Sequence, residues 1–145
     1  MAQEQEGQLV IFELGTQKYA LPILETQEIM RMVNITRVPN TNYFVEGVIN
    51  LRGNVIPVIN LCARLGLEKK SHDQDTRIIV VDRDGQKVGM IVDRVQEVGR
   101  YTPDELDTAA GGTRFGGSGE NGDILSGVVK KENQLWLLLN LNKLL

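Results

Sequence analysis

The feature that most limits what this chain can fold into is that it is written twice. Shifted by 69 positions, Gln17-Lys18 falls on Gln86-Lys87 and Gln27-Glu28-Ile29 falls on Gln96-Glu97-Val98. Shifted by 80, Gly47-Val48-Ile49 falls on Gly127-Val128-Val129, Asn60-Leu61 on Asn140-Leu141, and Leu65 on Leu145. The difference of 11 is absorbed between Arg100 and Ser126, a polar, glycine-rich insertion. Order and spacing persist over most of the chain, so one plan of about 65 to 75 residues is used twice.

Within each copy the apolar residues come in short bursts of valine, isoleucine and leucine bounded by Gly, Asn or Asp, which is how strands and tight turns are encoded. Four hairpins follow. Gln8 to Leu14 turns at Gly15-Thr16 into Tyr19-Ala20-Leu21, and Gly47 to Leu51 turns at Arg52-Gly53-Asn54 into Val55 to Ile59. Arg77 to Asp82 turns at Asp84-Gly85 into Val88 to Val92, and Gly127-Val128-Val129 turns through Lys130 to Gln134 into Leu135 to Leu139. Asp-Gly is a strong two-residue hairpin signal. Pro57 lies inside its strand, so its missing N–H must face an edge or a bulge. Helix is confined to short pieces, Cys62 to Leu65 and Thr102 to Leu106, the second with proline at its first position and acids in its first turn.

Some five short strands per copy are too many to leave as a flat sheet with apolar edges, so each copy should close on itself. The expected fold is mainly β, two tandem small five-stranded barrels with short helical pieces. The boundary falls in the polar run Glu68 to Asp75, giving one barrel over 8–67 and a second over 75–145. The N-terminal strand has the option of pairing with the second barrel.

Composition then removes whole classes of function. With 19 acidic against 16 basic side chains and no basic block longer than Lys69-Lys70 or Lys130-Lys131, there is no electrostatic footprint for nucleic acid. The single cysteine, Cys62, cannot form an internal disulfide, which points to a reducing compartment and a cytoplasmic protein. Met1 to Gly7 has no apolar core of a leader, and no stretch approaches the roughly 20 apolar residues of a spanning helix.

Catalytic chemistry has little to work with. Cys62 follows an apolar strand and is expected to be a small buried hydrophobe; a nucleophilic thiolate would need a base, and the only histidine, His72, lies in the polar run expected to be a solvated linker. One Cys and one His cannot close a four-ligand zinc site, so no metal is implied. Gly117-Ser118-Gly119-Glu120-Asn121-Gly122 spells a dinucleotide fingerprint, but it follows more glycine-rich sequence and enters a strand, where a phosphate-binding run must leave a strand and open a helix. No cofactor is expected. What remains is Arg52, placed in a turn that needs only Asn-Gly, and Glu28 among the adaptable methionines of Gln27 to Val33. The residues themselves lead to a non-enzymatic binding module.

The run from Gly47 to Leu61, with Arg64-Leu65-Gly66-Leu67 after it, resembles the CheW family of bacterial chemotaxis coupling proteins. Ile35 to Pro39, Ile78 to Val81, Val88 to Val95 and Leu137 to Leu145 join it, so the likeness covers nearly the whole chain. The resemblance implies two SH3-like barrels that couple the cytoplasmic helical tip of methyl-accepting chemoreceptors to the regulatory domain of the histidine kinase CheA. The receptor is then gripped in a groove between the barrels, at the inner face of the cell membrane. Carried over by position, it implies receptor contacts at Glu28, Ile29, Val33, Asn50, Arg52 and Gly53. Asn60 stands where the family commonly has aspartate, Asn42 where proline is common, and Thr26 where valine is. Thr108 to Ser126 follows no family pattern. The alternatives are a CheW-like regulatory segment of a kinase or fused coupling protein, against which the start methionine and closing Leu144-Leu145 are read, and a small-ligand-binding β module.

Overall fold

A computed structural model describes residues 7–108 and 124–145. Eleven strands form in chain order: β1 Gly7–Leu14, β2 Gln17–Pro22, β3 Thr26–Arg31, β4 Val45–Leu51, β5 Asn54–Asn60, β6 Arg77–Arg83, β7 Gln86–Val92, β8 Arg94–Tyr101, β9 Leu106–Asp107, β10 Leu125–Lys131 and β11 Gln134–Leu139. Two single-turn helices, α1 Leu61–Arg64 and α2 Leu141–Leu144, follow β5 and β11. All four expected hairpins are present as antiparallel pairs: β1 with β2, β4 with β5, β6 with β7 and β10 with β11.

The duplication extends to details that identity alone does not reveal. Asn60 and Asn140 each cap their helix, the Asn60 side chain accepting from Ala63 N at 3.1 Å and the Asn140 side chain from Asn142 N at 3.0 Å. Gly47 and Gly127 are paired by close approach: a Cβ on Gly47 would stand 2.1 Å from the Thr36 carbonyl oxygen, and one on Gly127 3.0 Å from that of Asp107. Those carbonyls belong to the short segments that pair along β4 and β10. Thr36 bridges Val48 through reciprocal hydrogen bonds of 2.9 Å, and the short β9 pairs Asp107 with Val128.

The strands sort into a six-stranded sheet, β8-β1-β2-β11-β10-β9, and a five-stranded sheet, β3-β6-β7-β5-β4. The compact units are therefore 1–23 with 96–145, and 24–95, and these bounds cut across the expected boundary between 67 and 75. The reason is an exchange of first hairpins between the repeats. β2 runs parallel to β11 with Ala20 opposite Leu138, and β7 runs parallel to β5 with Gly89 opposite Val58. Ala20 and Gly89 are related by the shift of 69, Val58 and Leu138 by the shift of 80, so the same ladder forms twice with the partners traded. The polar run Glu68 to Asp75 is consequently the internal connection from α1 to β6 within one unit. It is tied down locally, with the Asp73 carboxylate accepting from Asp75 N at 2.8 Å and Thr76 buried. His72 is exposed, as a solvated side chain should be.

Each unit has its own core. Leu9, Ile11, Ala20, Val129, Trp136 and Leu138 form one, and Ile49, Ile56, Val58, Ile78, Val80 and Ile91 the other. Pro57 resolves differently from the edge or bulge its ring suggests. Val48, opposite Pro57, spends its backbone groups on Thr36, so the Pro57 nitrogen faces β7, just before the parallel ladder begins at Val58. Its missing N–H costs no ladder bond there, because the β5–β7 pairing starts only at Val58 with Gly89, and a groove of about 370 Å³ lined by Asn54 to Pro57 and Gly85 to Lys87 precedes it.

Candidate functional site

In unit 24–95 the two strands that end the sheet order, β3 and β4, are brought together by side chains. β3 alternates, with Gln27, Ile29 and Arg31 exposed and Thr26, Glu28 and Met30 half-buried. Its register shifts between Thr26 and Glu28 against Val81 and Val80 of β6. β4 ends at Leu51 and β5 starts at Asn54, so Arg52-Gly53 is a two-residue turn, both members at positive φ, 53° and 87°. The Asn50 side-chain oxygen accepts from Gly53 N at 2.8 Å and braces this turn. From it the Arg52 guanidinium reaches across to Glu28, with Nη1 to Oε1 at 2.5 Å and Nη2 to Oε2 at 3.3 Å.

This is a fork-on-fork pair, the geometry that gives Arg–carboxylate contacts their directionality. The hydrogen bond from Arg52 holds the Glu28 carboxyl below the ordinary carboxylate range, assisted by the charges of Arg52 and Lys87, and Glu28 in turn raises the Arg52 guanidinium. Side-chain exposures of 71% for Arg52 and 29% for Glu28 leave the pair in water. Solvent screening makes such a pair a weak stabiliser of the fold and an available pair of groups for a partner. Ile29 and Val33 are 41% and 44% exposed, Ile29 on the face of β3 opposite Glu28 and Val33 just beyond the strand.

The second repeat lacks this arrangement. The positions related to Glu28 and Arg52 are Glu97 and Glu132, two acids that cannot pair. Its corresponding corner uses Lys131, which donates to Glu105 at 3.0 and 3.2 Å and lies 5.0 Å from the Trp136 ring centroid. The fold plan thus does not require an Arg–Glu clasp, and the clasp marks one repeat only.

Sequence reasoning brought Glu28 and Arg52 forward but gave no sign of Lys87, whose charge acts on Glu28 from the start of β7. Its only trace was its place in the repeated Gln-Lys pair. Asn50 and Gly53 take structural places in the turn, and both are exposed. Cys62 is 4% exposed, and burial, with Asp93 nearby, pushes its thiol up to about 11. Asn60 keeps the capping role that aspartate would have and also donates to Glu46 at 3.2 Å. The Asn42 carbonyl accepts from Val45 N at 2.9 Å, and Thr26 sits at the β3 irregularity opposite Val81. The glycine fingerprint Gly117 to Gly122 lies outside the described residues. Among those residues no group of three or more His, Cys, Asp or Glu stands together as a metal site, and no helix is long and apolar enough to cross a membrane.

The described chain thus presents two β units, an exposed charge clasp in one of them, and a buried thiol 3.9 Å from the Asp93 carboxylate. Residues 8–145 match the CheW-like domain, and the chain belongs to the CheW family. It is 34% identical over 142 residues to the chemotaxis protein CheW of Helicobacter pylori, covering 98% of this chain and 83% of that one. Identity to the chemotaxis protein CheW of Thermotoga maritima is 34% over 140 residues, 97% of this chain and 88% of the relative. The crystal structure of the scaffolding protein TtCheW from Thermoanaerobacter tengcongensis superposes with a TM-score of 0.82 at 34% identity, covering 92% of this chain and 88% of that one. The fold is accordingly mainly β with two SH3-like units, one on a six-stranded sheet that includes the short β9 and the other on a five-stranded sheet with the Thr36 bridge added to β4.

Proposed function

We propose that this chain is a chemotaxis adaptor that couples transmembrane chemoreceptors to the histidine kinase CheA, passing receptor state to kinase activity without chemistry of its own. The cytoplasmic helical tip of a methyl-accepting receptor is one partner and the regulatory domain of CheA the other. The adaptor works in the cytoplasm, recruited to receptor arrays at the inner face of the membrane. The observation that carries the receptor contact is the exposed Glu28–Arg52 clasp, present in one repeat and absent from its twin, with Ile29 and Val33 exposed on the same stretch of chain. An exposed Arg–carboxylate fork can trade its internal partner for one on an incoming helix at little cost, because water already competes for both groups. Ile29 and Val33 supply apolar contact, while Asn50 and Gly53 shape the turn that offers Arg52.

The test is binding of a soluble helical-tip fragment of a chemoreceptor to the full chain and to Arg52→Glu and Glu28→Lys, each checked for folding. A loss of about tenfold or more in affinity is expected for each, the usual consequence of reversing charge at an anchoring position. Normal binding by both folded variants would sink the assignment. CheA binding by the same variants shows whether the two contacts are separate.

A further inference from the structure

Three non-glycine residues among the described ones hold positive φ: Asn40 at 61°, Asp84 at 54° and Arg52 at 53°. Asn and Asp tolerate the left-handed region because their short polar side chains bond locally; arginine has no such compensation. Two comparisons inside the molecule show what Arg52 gives up. The β6–β7 hairpin closes on Asp84-Gly85, with Asp82 accepting from Gly85 N at 2.8 Å, the same brace as Asn50 to Gly53 N at 2.8 Å. That hairpin fills the left-handed place with a suitable residue. The repeat-related β10–β11 hairpin, with Lys131 opposite Gln134, closes through Glu132-Asn133 with neither at positive φ. The hairpin length therefore does not impose a left-handed arginine.

We infer that the β4–β5 turn is a strained presentation device: Asn50 holds Arg52 in a left-handed conformation that directs its guanidinium to the Glu28 edge, at the expense of fold stability. Non-glycine residues in sparsely populated backbone regions persist where surrounding structure over-determines them, and here the over-determining group is the Asn50 side chain. Asn50 is then a positioning residue acting through Arg52. This deepens the receptor-contact reading above and rests on it for the purpose of the strain, though not for its existence.

Four full-length variants separate the parts: Arg52→Asn, Glu28→Gln, Asn50→Ala and Asn50→Asp. Arg52→Asn places Asn-Gly, the preferred pair for such turns, and is expected to raise the thermal midpoint by roughly 3 °C while weakening binding of the receptor-tip fragment about tenfold. Glu28→Gln removes the ion pair without touching the backbone and should not raise the midpoint, which assigns the gain to the turn. Asn50→Ala is expected to weaken binding severalfold, and Asn50→Asp to restore it, since a carboxylate accepts from Gly53 N as Asp82 does from Gly85 N. An unchanged or lowered midpoint for Arg52→Asn overturns the strain, and intact binding by Asn50→Ala overturns the positioning role. A raised midpoint with intact binding would leave the strain standing and remove Arg52 from the receptor contact.

Discussion

Met30 and Gly99 occupy the same place in the two repeats, 69 positions apart, yet only Gly99 lies against a much larger core side chain. Met30 packs on the cluster that contains Ile56, whereas Gly99 leaves room for Trp136, the counterpart of Ile56 at the shift of 80. Met30 and Ile56 are of similar size, whereas in the other core a glycine lies against the bulkiest side chain, so equivalent places are filled by different shapes.

The close approach of Trp136 makes Gly99 intolerant of growth. A Cβ there would stand 2.6 Å from Cη2 of Trp136, so Gly99→Ala should cost about 1–3 kcal/mol through overpacking. Trp136 is the only tryptophan, so its fluorescence during urea unfolding reports this core directly, and the variant's midpoint should fall. An unmoved midpoint would show that the ring shifts freely.

The paired glycines at the closing segments should rank by geometry. Gly47→Ala meets the Thr36 carbonyl oxygen at 2.1 Å with φ at 149°, and Gly127→Ala meets the Asp107 carbonyl oxygen at 3.0 Å. Gly127→Ala should cost about 1 kcal/mol and Gly47→Ala about 3 kcal/mol or more, since only the second combines a clash with backbone and a conformation that L residues avoid. Hydrogen exchange at the Thr36 and Val48 amides should accelerate in Gly47→Ala; protection equal to the parent would refute the closing role.

Cys62 should be inert in the native chain. With its thiol raised to about 11, the thiolate fraction at pH 8 is about one in a thousand, and the sulfur is buried besides. Alkylation at pH 8 is expected only after denaturation. The same shift has a sign for stability: the native state keeps the proton that the unfolded state releases near its ordinary 9.0, so this contribution is complete below that value and is lost as pH rises through about 11. A falling chemical midpoint between pH 9 and 11, reduced in Cys62→Ala, checks it.

Local structure was legible because its causes are local. Valine-rich bursts and turn pairs such as Asp84-Gly85 act within a few residues, and the repeat supports the hairpins in pairs; the caps at Asn60 and Asn140 and the close approaches at Gly47 and Gly127 emerge only in the structure. Glu28 and Arg52 also stood out, the one for its apolar company and the other because a turn has no need of arginine. Their contact did not, since β3 and β4 lie at opposite ends of a strand order that only a closed sheet joins.

The division of the chain into units stayed open for a related reason, with pairing of the N-terminal strand to the second barrel one of two options. Two copies of one plan present β2 and β7 with two equivalent parallel partners, β5 and β11, and the same alternation of apolar residues satisfies either pairing. Local pattern sets which residues face inward and which hairpins form, but it is indifferent to which copy supplies the neighbour. Long-range packing breaks the tie: Ala20 lies beside Leu138 in the core with Trp136, and Gly89 beside Val58 in the core with Ile56. Strands and turns therefore belong to the sequence, whereas the exchange of hairpins and the clasp between Glu28 and Arg52 belong to the tertiary structure, where contacts between distant residues are made.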